Sequence, residues 1–232
     1  MLHDDEQLPP DLWIVVPAYN ETTRLPRTLR ELVPRFPNVV VVDDGSPDDT
    51  ADAARECGVW VLRHPINRGQ GAALQTGIDF ALARGATHIV TFDADGQHDP
   101  DDVAAIVAPL LAGKAEVTLG SRFLGRSIGM PLSRRIILKL AILFTRVVSR
   151  IRVSDTHNGF RGFTCESAAK LRIRQDRMAH ASEILDEVRR LNLRYCEVPV
   201  TIRYTAGTLA KGQSSWNAVR IACQFLIGKV VT

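Results

Sequence analysis

Short apolar runs alternate with longer amphipathic stretches through the first half of the chain. Leu12–Val16 is wholly apolar and ends in Pro17-Ala18-Tyr19-Asn20-Glu21. Arg24–Phe36 then sets Leu25, Leu29, Leu32 and Val33 on one side, which predicts a helix. Val39–Val42 is an unbroken run of valines, the mark of a strand covered on both faces. Ser46-Pro47-Asp48-Asp49 predicts a helix start, with Ser46 as cap, Pro47 at the first position and acids in the first turn. Val59–Leu62 reads as a third strand, Gly71–Ala83 as a helix, and His88–Phe92 as a fourth strand running into Asp93-Ala94-Asp95-Gly96-Gln97-His98. A helix over Asp99–Leu111 and a strand over Val117–Gly120 follow.

Strands separated by helices of this length pair in parallel through right-handed crossovers. The expected class is therefore α/β, with a mostly parallel central sheet and flanking helices. Such sheets bind ligands at the carboxyl ends of their strands. Asp43-Asp44-Gly45-Ser46 and Asp93-Ala94-Asp95 both fall there. There is no internal repeat and no low-complexity linker, so residues 1–232 read as a single domain whose second half elaborates the first.

The second half carries a different pattern. Over Pro131–Arg152, at ~100° per residue, Arg135, Lys139, Arg146 and Arg150 fall within about 60° of one another. The other positions there are mostly Ile, Leu, Val and Phe. A basic stripe beside an apolar face predicts a helix lying in a membrane interface; a core-packing helix with one solvated face is the alternative. Trp216–Val231 repeats the pattern more weakly, with Asn217, Arg220 and Gln224 on one side. No apolar run reaches the roughly 18–20 residues needed to span a bilayer, and the acidic, polar start is unlike a signal peptide.

Charge sharpens the contrast between the halves. Residues 1–125 hold 10 Lys/Arg against 19 Asp/Glu, a balance of −9; residues 126–178 hold 12 against 3, a balance of +9; residues 179–232 hold 7 against 4, which closes the total at +3. Acidic sites hold metal ions, while basic ones attract phosphates or anionic membranes. The four cysteines are dispersed with no CxxC, which argues against a zinc site or a disulfide framework and suits the reducing cytoplasm.

Asp93 and Asp95, one residue apart in a turn, can reach a hard divalent cation, with Gln97 adding a neutral oxygen. The plain reading is that Asp and Gly simply build the turn. His98 and His157 have no partner identifiable from sequence and read as structural or surface residues. Asn67-Arg68-Gly69-Gln70-Gly71 lacks the third glycine of a dinucleotide loop.

Taken together, Pro17–Glu21, Asp43–Ser46, Asn67–Gly71, Asp93–Gln97 and Gly120-Ser121-Arg122 resemble the family 2 glycosyltransferases in order and spacing, over roughly residues 12–125. The resemblance implies a GT-A fold, a nucleotide-sugar donor, a divalent metal (Mg²⁺ or Mn²⁺) and inversion at the anomeric carbon. It implies that Pro17, Tyr19 and Glu21 contact the nucleoside, and Val42 and Asp44 the base. Asp93 and Ala94 would line the ribose and diphosphate, Asp95 and Gln97 would hold the metal, and Arg122 would neutralise donor phosphate. A metal and guanidinium groups suit a leaving nucleoside diphosphate, which gains negative charge.

Asp155-Thr156-His157-Asn158-Gly159-Phe160-Arg161 is similar to the D-x-x-x-G-F-R stretch of polyprenyl-phosphate glycosyltransferases, including dolichyl-phosphate mannose synthases. Arg203-Tyr204 and Lys211–Ser215 resemble the same subgroup. This implies a polyprenyl-phosphate acceptor, with Asp95, Asp155 and Arg161 in catalytic roles and Arg203 and Lys211 on the phosphates. Residues 12–125 would then bind the nucleotide-sugar and 126–232 the acceptor. A lipid phosphate is already anionic, so little demand for a general base remains. For Arg161 the plain reading is an ion pair with Asp155. Many members of the subgroup carry carboxy-terminal transmembrane helices, absent here; some mannose synthases instead use small membrane subunits. The expectation is a peripheral enzyme on the cytoplasmic face, meeting an anionic membrane surface and a small anchoring subunit. Transfer to a glycan hydroxyl and non-catalytic nucleotide-sugar binding stay open. A Rossmann dehydrogenase is disfavoured by the missing GxGxxG, a nucleotidyltransferase by the missing glycine-rich loop, and nucleic-acid binding by the low net charge.

Overall fold

Apolar runs buried on both faces build the centre of the molecule. In this computed structural model, which describes residues 8–148, 151–174 and 180–204, Leu12–Ala18 (β1) is buried at every position. The valines of Asn38–Asp43 (β2) are likewise buried. Both belong to one sheet, with Val15 opposite Val40 of β2 and Thr91 of His88–Thr91 (β4), all in parallel. Trp60–Arg63 (β3) extends this parallel set as the edge strand beside β2.

Beyond β4 the direction reverses. Arg161–Thr164 (β6) runs antiparallel between β4 and Val117–Ile128 (β5), and Tyr195–Arg203 (β7) lies parallel to β5 at the far edge. The full order is β3-β2-β1-β4-β6-β5-β7, so strands from both halves of the chain share one sheet. Leu25–Leu32 (α1), Thr50–Glu56 (α2) and Val103–Leu111 (α4) cover one face through Leu25, Leu29, Ala54, Ile106 and Val107. Gln70–Ala83 (α3), Cys165–Lys170 (α6) and His180–Arg190 (α7) cover the other through Leu74, Ile78, Ala168 and Leu185.

The expected α/β class, mostly parallel sheet and first-half element order are all present, with some boundaries moved. The second helix begins at Thr50 rather than at Ser46. Ser46 has other partners: its N–H donates to Asp43 Oδ1 at 3.0 Å and its hydroxyl accepts from the Asn20 N–H at 3.0 Å. That hydroxyl thus fastens the ends of β1 and β2 together instead of capping a helix. The strand expected to stop at Gly120 continues to Ile128, because β7 pairs with it on both sides of an irregularity between Ser121 and Arg126. The helix expected over Pro131–Arg152 spans Leu132–Val148 (α5). Trp216–Val231 and Arg150 lie outside the described residues.

Helix α3 sits unusually close to the sheet. A Cβ on Gly77 would collide with Val15 Cγ1 and stand 3.2 Å from Val42 Cγ2. This approach carries the first turn of α3 over the ends of β1 and β2. Gly77→Ala is expected to lower stability by up to about 2 kcal/mol net, an overpacking cost of about 1–3 kcal/mol less about 1 kcal/mol gained in helix propensity, read as a lower urea midpoint at unchanged slope. An unaltered or raised midpoint in equilibrium denaturation would show that the sheet yields freely there.

Candidate active site

The parallel strands deliver their polar residues to one edge. β1 leads to Tyr19 and Glu21, β2 to Asp43 and Asp44, and β4 to Asp93 and Asp95. Pro17 and Val42 are buried within their strands, while Tyr19 is 44% exposed beside them. Glu21 pairs with Arg24 at 2.7 Å.

Asp44, only 2% exposed, is bound by its own protein. Its carboxylate accepts from the N–H groups of Arg68 and Gly69 and lies 2.7 Å from His64 Nδ1, whose Nε2 lies 2.9 Å from Thr76 Oγ1. Asp44 therefore anchors the Asn67–Gly71 loop and the start of α3 to the end of β2. Next to it, an open cavity of about 420 Å³ is lined by Gly45, Ser46, Arg63, His64 and Pro65.

The turn after β4 is the acidic centre. Asp93 Oδ1 accepts from Gln70 Nε2 at 3.1 Å, and Asp93 Oδ2 lies 2.9 Å from His98 Nε2. Ala94 is buried and its carbonyl accepts from the Thr28 hydroxyl at 3.0 Å. Asp95 Oδ1 accepts from the Gln97 N–H at 3.0 Å. Burial, reinforced by the neighbouring Asp93, pushes the Asp95 carboxyl up to about 6. Both effects disfavour its negative charge. A divalent cation would relieve both, and the carboxylates with the Gln97 oxygen make an all-oxygen donor set suited to Mg²⁺ or Mn²⁺. Among the described residues no group of three or more His, Cys, Asp or Glu could hold a metal. Two carboxylates and one amide oxygen leave positions on such a cation that substrate phosphates and water would fill.

The second-half motif packs beneath this turn. A Cβ on Gly159 would stand 2.5 Å from Asp93 Oδ1, so only glycine lets the segment lie against that carboxylate. Thr91 Oγ1 donates to the Gly159 carbonyl at 2.6 Å. Asp155 Oδ2 accepts from Arg122 Nε at 2.6 Å, with both side chains buried. Arg122 also donates to the Tyr204 hydroxyl at 2.5 Å and to the His157 carbonyl at 3.0 Å.

Arg161 does not pair with Asp155. It is 4% exposed and donates to the carbonyls of Asn158, Thr156 and Ala181. Burial lowers its guanidinium to about 10. Burial also lowers the His157 imidazole. Arg203 lies on the open side, paired with Asp99, and its N–H donates to the Gln97 carbonyl at 2.9 Å. Lys211 lies outside the described residues. Sequence reading missed His64, the pairing of Gln70 with Asp93, and the contact between Gly159 and Asp93. Their partners are 20, 23 and 66 residues away in sequence, beyond the reach of any local pattern.

Comparison with known proteins agrees with this architecture. The chain is 30% identical over 242 residues to the UDP-N-acetylglucosamine–dolichyl-phosphate N-acetylglucosaminyltransferase of Methanococcus voltae, covering 94% of this chain and 96% of that one. It is 30% identical over 220 residues to the polyprenol monophosphomannose synthase of Mycolicibacterium smegmatis, covering 90% and 83%. The crystal structure of glucosyl-3-phosphoglycerate synthase from Mycobacterium tuberculosis with Mn²⁺, UDP and glucosyl-3-phosphoglycerate superposes with a TM-score of 0.70 at 19% identity, covering 93% of this chain and 77% of that one. That likeness shows the shared GT-A fold. The model of glycosyl transferase family 2 matches residues 13–172. With the acidic turn standing where such a fold presents its strand ends, the chain belongs to the family 2 glycosyltransferases and is a glycosyltransferase.

Proposed function

We propose that this chain transfers a hexose from a nucleoside-diphosphate sugar to a polyprenyl phosphate, at a membrane surface and with inversion. The observation that carries the choice of acceptor is the buried pair of Asp155 with Arg122. A hydroxyl acceptor needs a general base, and the acid of the second-half motif is already tied to a guanidinium. A phosphate acceptor needs none. The names of the two relatives, a dolichyl-phosphate transferase and a polyprenol monophosphomannose synthase, support the same acceptor class.

In this reading Tyr19 and the residues beside it receive the nucleoside, while Asp93 is fixed toward the ribose and diphosphate. Asp95 and Gln97 would hold Mg²⁺ or Mn²⁺, which supplies charge neutralisation for the departing nucleoside diphosphate. An acceptor phosphate oxygen forms the new bond to the anomeric carbon on the face opposite the leaving group. The old carbon–oxygen bond breaks, and its electron pair leaves with the nucleoside diphosphate. Arg203, beside the acidic turn and 45% exposed, would meet phosphate.

Helix α5 supports the membrane surface. Leu132, Ile136, Leu140 and Leu143 stand 53–71% exposed along one side, with exposed Leu124 and Ile128 on the strand leading into it. Arg135 and Lys139 flank that stripe and are exposed as well. An apolar face left open beside cations suits the boundary between acyl chains and phosphate headgroups. Among the described residues no helix is long and apolar enough to cross a membrane.

Incubating the chain with labelled nucleotide-sugars, Mg²⁺ or Mn²⁺ and polyprenyl phosphate should carry label into an organic extract. Absence of lipid-borne label across the common GDP- and UDP-sugars would remove the acceptor assignment. Asp95→Asn should lower kcat/KM by about 10²–10³-fold. The same change should raise the Tm of the metal-free chain, because a buried charge and its repulsion with Asp93 are gone. Near-normal turnover by that variant would exclude Asp95 as the metal ligand. In flotation with vesicles containing anionic lipid, replacing Leu132 and Leu140 together by Glu should leave most of the chain unbound, and wild-type-like flotation would move the membrane surface elsewhere.

A further inference from the structure

We propose that His98 is a positioning residue that aims the Asp93 carboxylate before any ligand arrives. The inference rests on the nucleotide-sugar reading above, in which Asp93 meets the donor. His98 is 4% exposed. Its ring lies edge-on to Phe92, centroids 5.3 Å apart, and against Phe160 at 4.9 Å. An isolated bridge between His98 and Ile202 of β7 fixes its backbone. The ring therefore has almost no freedom of its own.

Within this apolar slot the imidazole makes a single polar contact. Nε2 lies 2.9 Å from Asp93 Oδ2, while Nδ1 is buried without a hydrogen-bond partner. An ionised carboxylate only accepts hydrogen bonds, so Nε2 carries the proton. A phenyl ring would fill the same space between Phe92 and Phe160 without leaving a buried nitrogen unpaired. What the histidine adds over such a ring is one N–H aimed at Asp93.

That N–H completes a three-sided hold. Gln70, on the first turn of α3, donates to the other carboxylate oxygen at 3.1 Å. Gly159 presses on the carboxylate from the second-half motif, and the neighbouring Phe160 packs on the His98 ring itself. The acidic turn, α3 and the second-half motif thus converge on one side chain, and β7 fixes the backbone of His98. Without the His98 contact, Asp93 could rotate toward Asp95 or solvent, and donor binding would have to restore its direction.

The test compares His98→Phe, which keeps the packing, with His98→Gln, whose amide N–H can replace that of Nε2. Calorimetric titration with Mn²⁺ plus GDP, and with Mn²⁺ plus UDP, should show binding weakened about 10- to 100-fold in the Phe variant, the range for removing an outer-shell partner. The Gln variant should recover most of it. Equal affinity in all three proteins, or equal loss in both variants, overturns the proposal. Imidazole ¹⁵N spectra of the ligand-free wild type provide a second readout. A ring protonated at Nε2 whose signal shifts in Asp93→Asn is expected, and a signal indifferent to that change also overturns the proposal. Because those spectra need no nucleotide, a wild type that binds neither GDP nor UDP but shows the expected ring signal counts against the nucleotide-sugar reading alone.

Discussion

Two carboxylates placed one residue apart at the end of a buried strand repel each other, and the site is organised around holding them there. Asp93 is held by donors from α3 and from the turn itself, with Gly159 packed against it. Asp95 has the Gln97 N–H, and burial together with Asp93 leaves its carboxyl raised to about 6. The two acids are therefore unequal. One is satisfied by the protein; the other is left in a state that a cation would improve. Like-charge pairs commonly separate in this way when their surroundings differ.

Two guanidiniums, Arg122 from β5 and Arg161 from β6, are buried beside the acidic turn. Removing a guanidinium from water costs several kcal/mol unless its donors are satisfied. Arg122 meets that cost with Asp155, Tyr204 and the His157 carbonyl. Arg161 meets it with backbone carbonyls alone. In this arrangement the D-x-x-x-G-F-R segment braces the acidic turn from below: its arginine ties the loop to the start of α7, its glycine abuts Asp93 and its phenylalanine packs on His98. Other basic residues of the later chain face solvent, among them Arg126, Arg135, Lys139 and Arg203.

Local pattern made the parallel half of the fold legible. Valine runs, helix-spaced leucines and Asp-rich strand ends are short-range signals, and β1, β2, β4, α1, α3 and α4 follow from them. The antiparallel β6 is four residues long and depends on partners more than 40 residues away, so no periodicity announces it. Ser46 shows a different kind of error. Its spacing suits a helix cap, but a hydroxyl bond to Asn20, 26 residues earlier, uses it to join two strands. At the site, residue identities were legible and their pairings were not. An ion pair between Asp155 and Arg161, six residues apart, was the plain alternative to a site role, yet Arg122, from another strand, takes the carboxylate.

The acidic centre and the apolar surface of α5 are physically joined. Tyr204 receives a hydrogen bond from Arg122 on its hydroxyl, while its backbone N–H donates to Ile128, at the end of β5. The guanidinium of Arg134, in the first turn of α5, lies 5.1 Å from the centre of the same ring. One tyrosine thus spans from the buried ion pair beneath the acidic turn to the helix whose leucines stand open to solvent. A phosphate at the surface of a membrane touching that helix would already lie near the strand ends where the donor is expected. An acceptor free in solution would draw no benefit from the exposed leucines, whereas a lipid-borne one, as proposed, would gain a surface on which its phosphate and the sugar donor could meet.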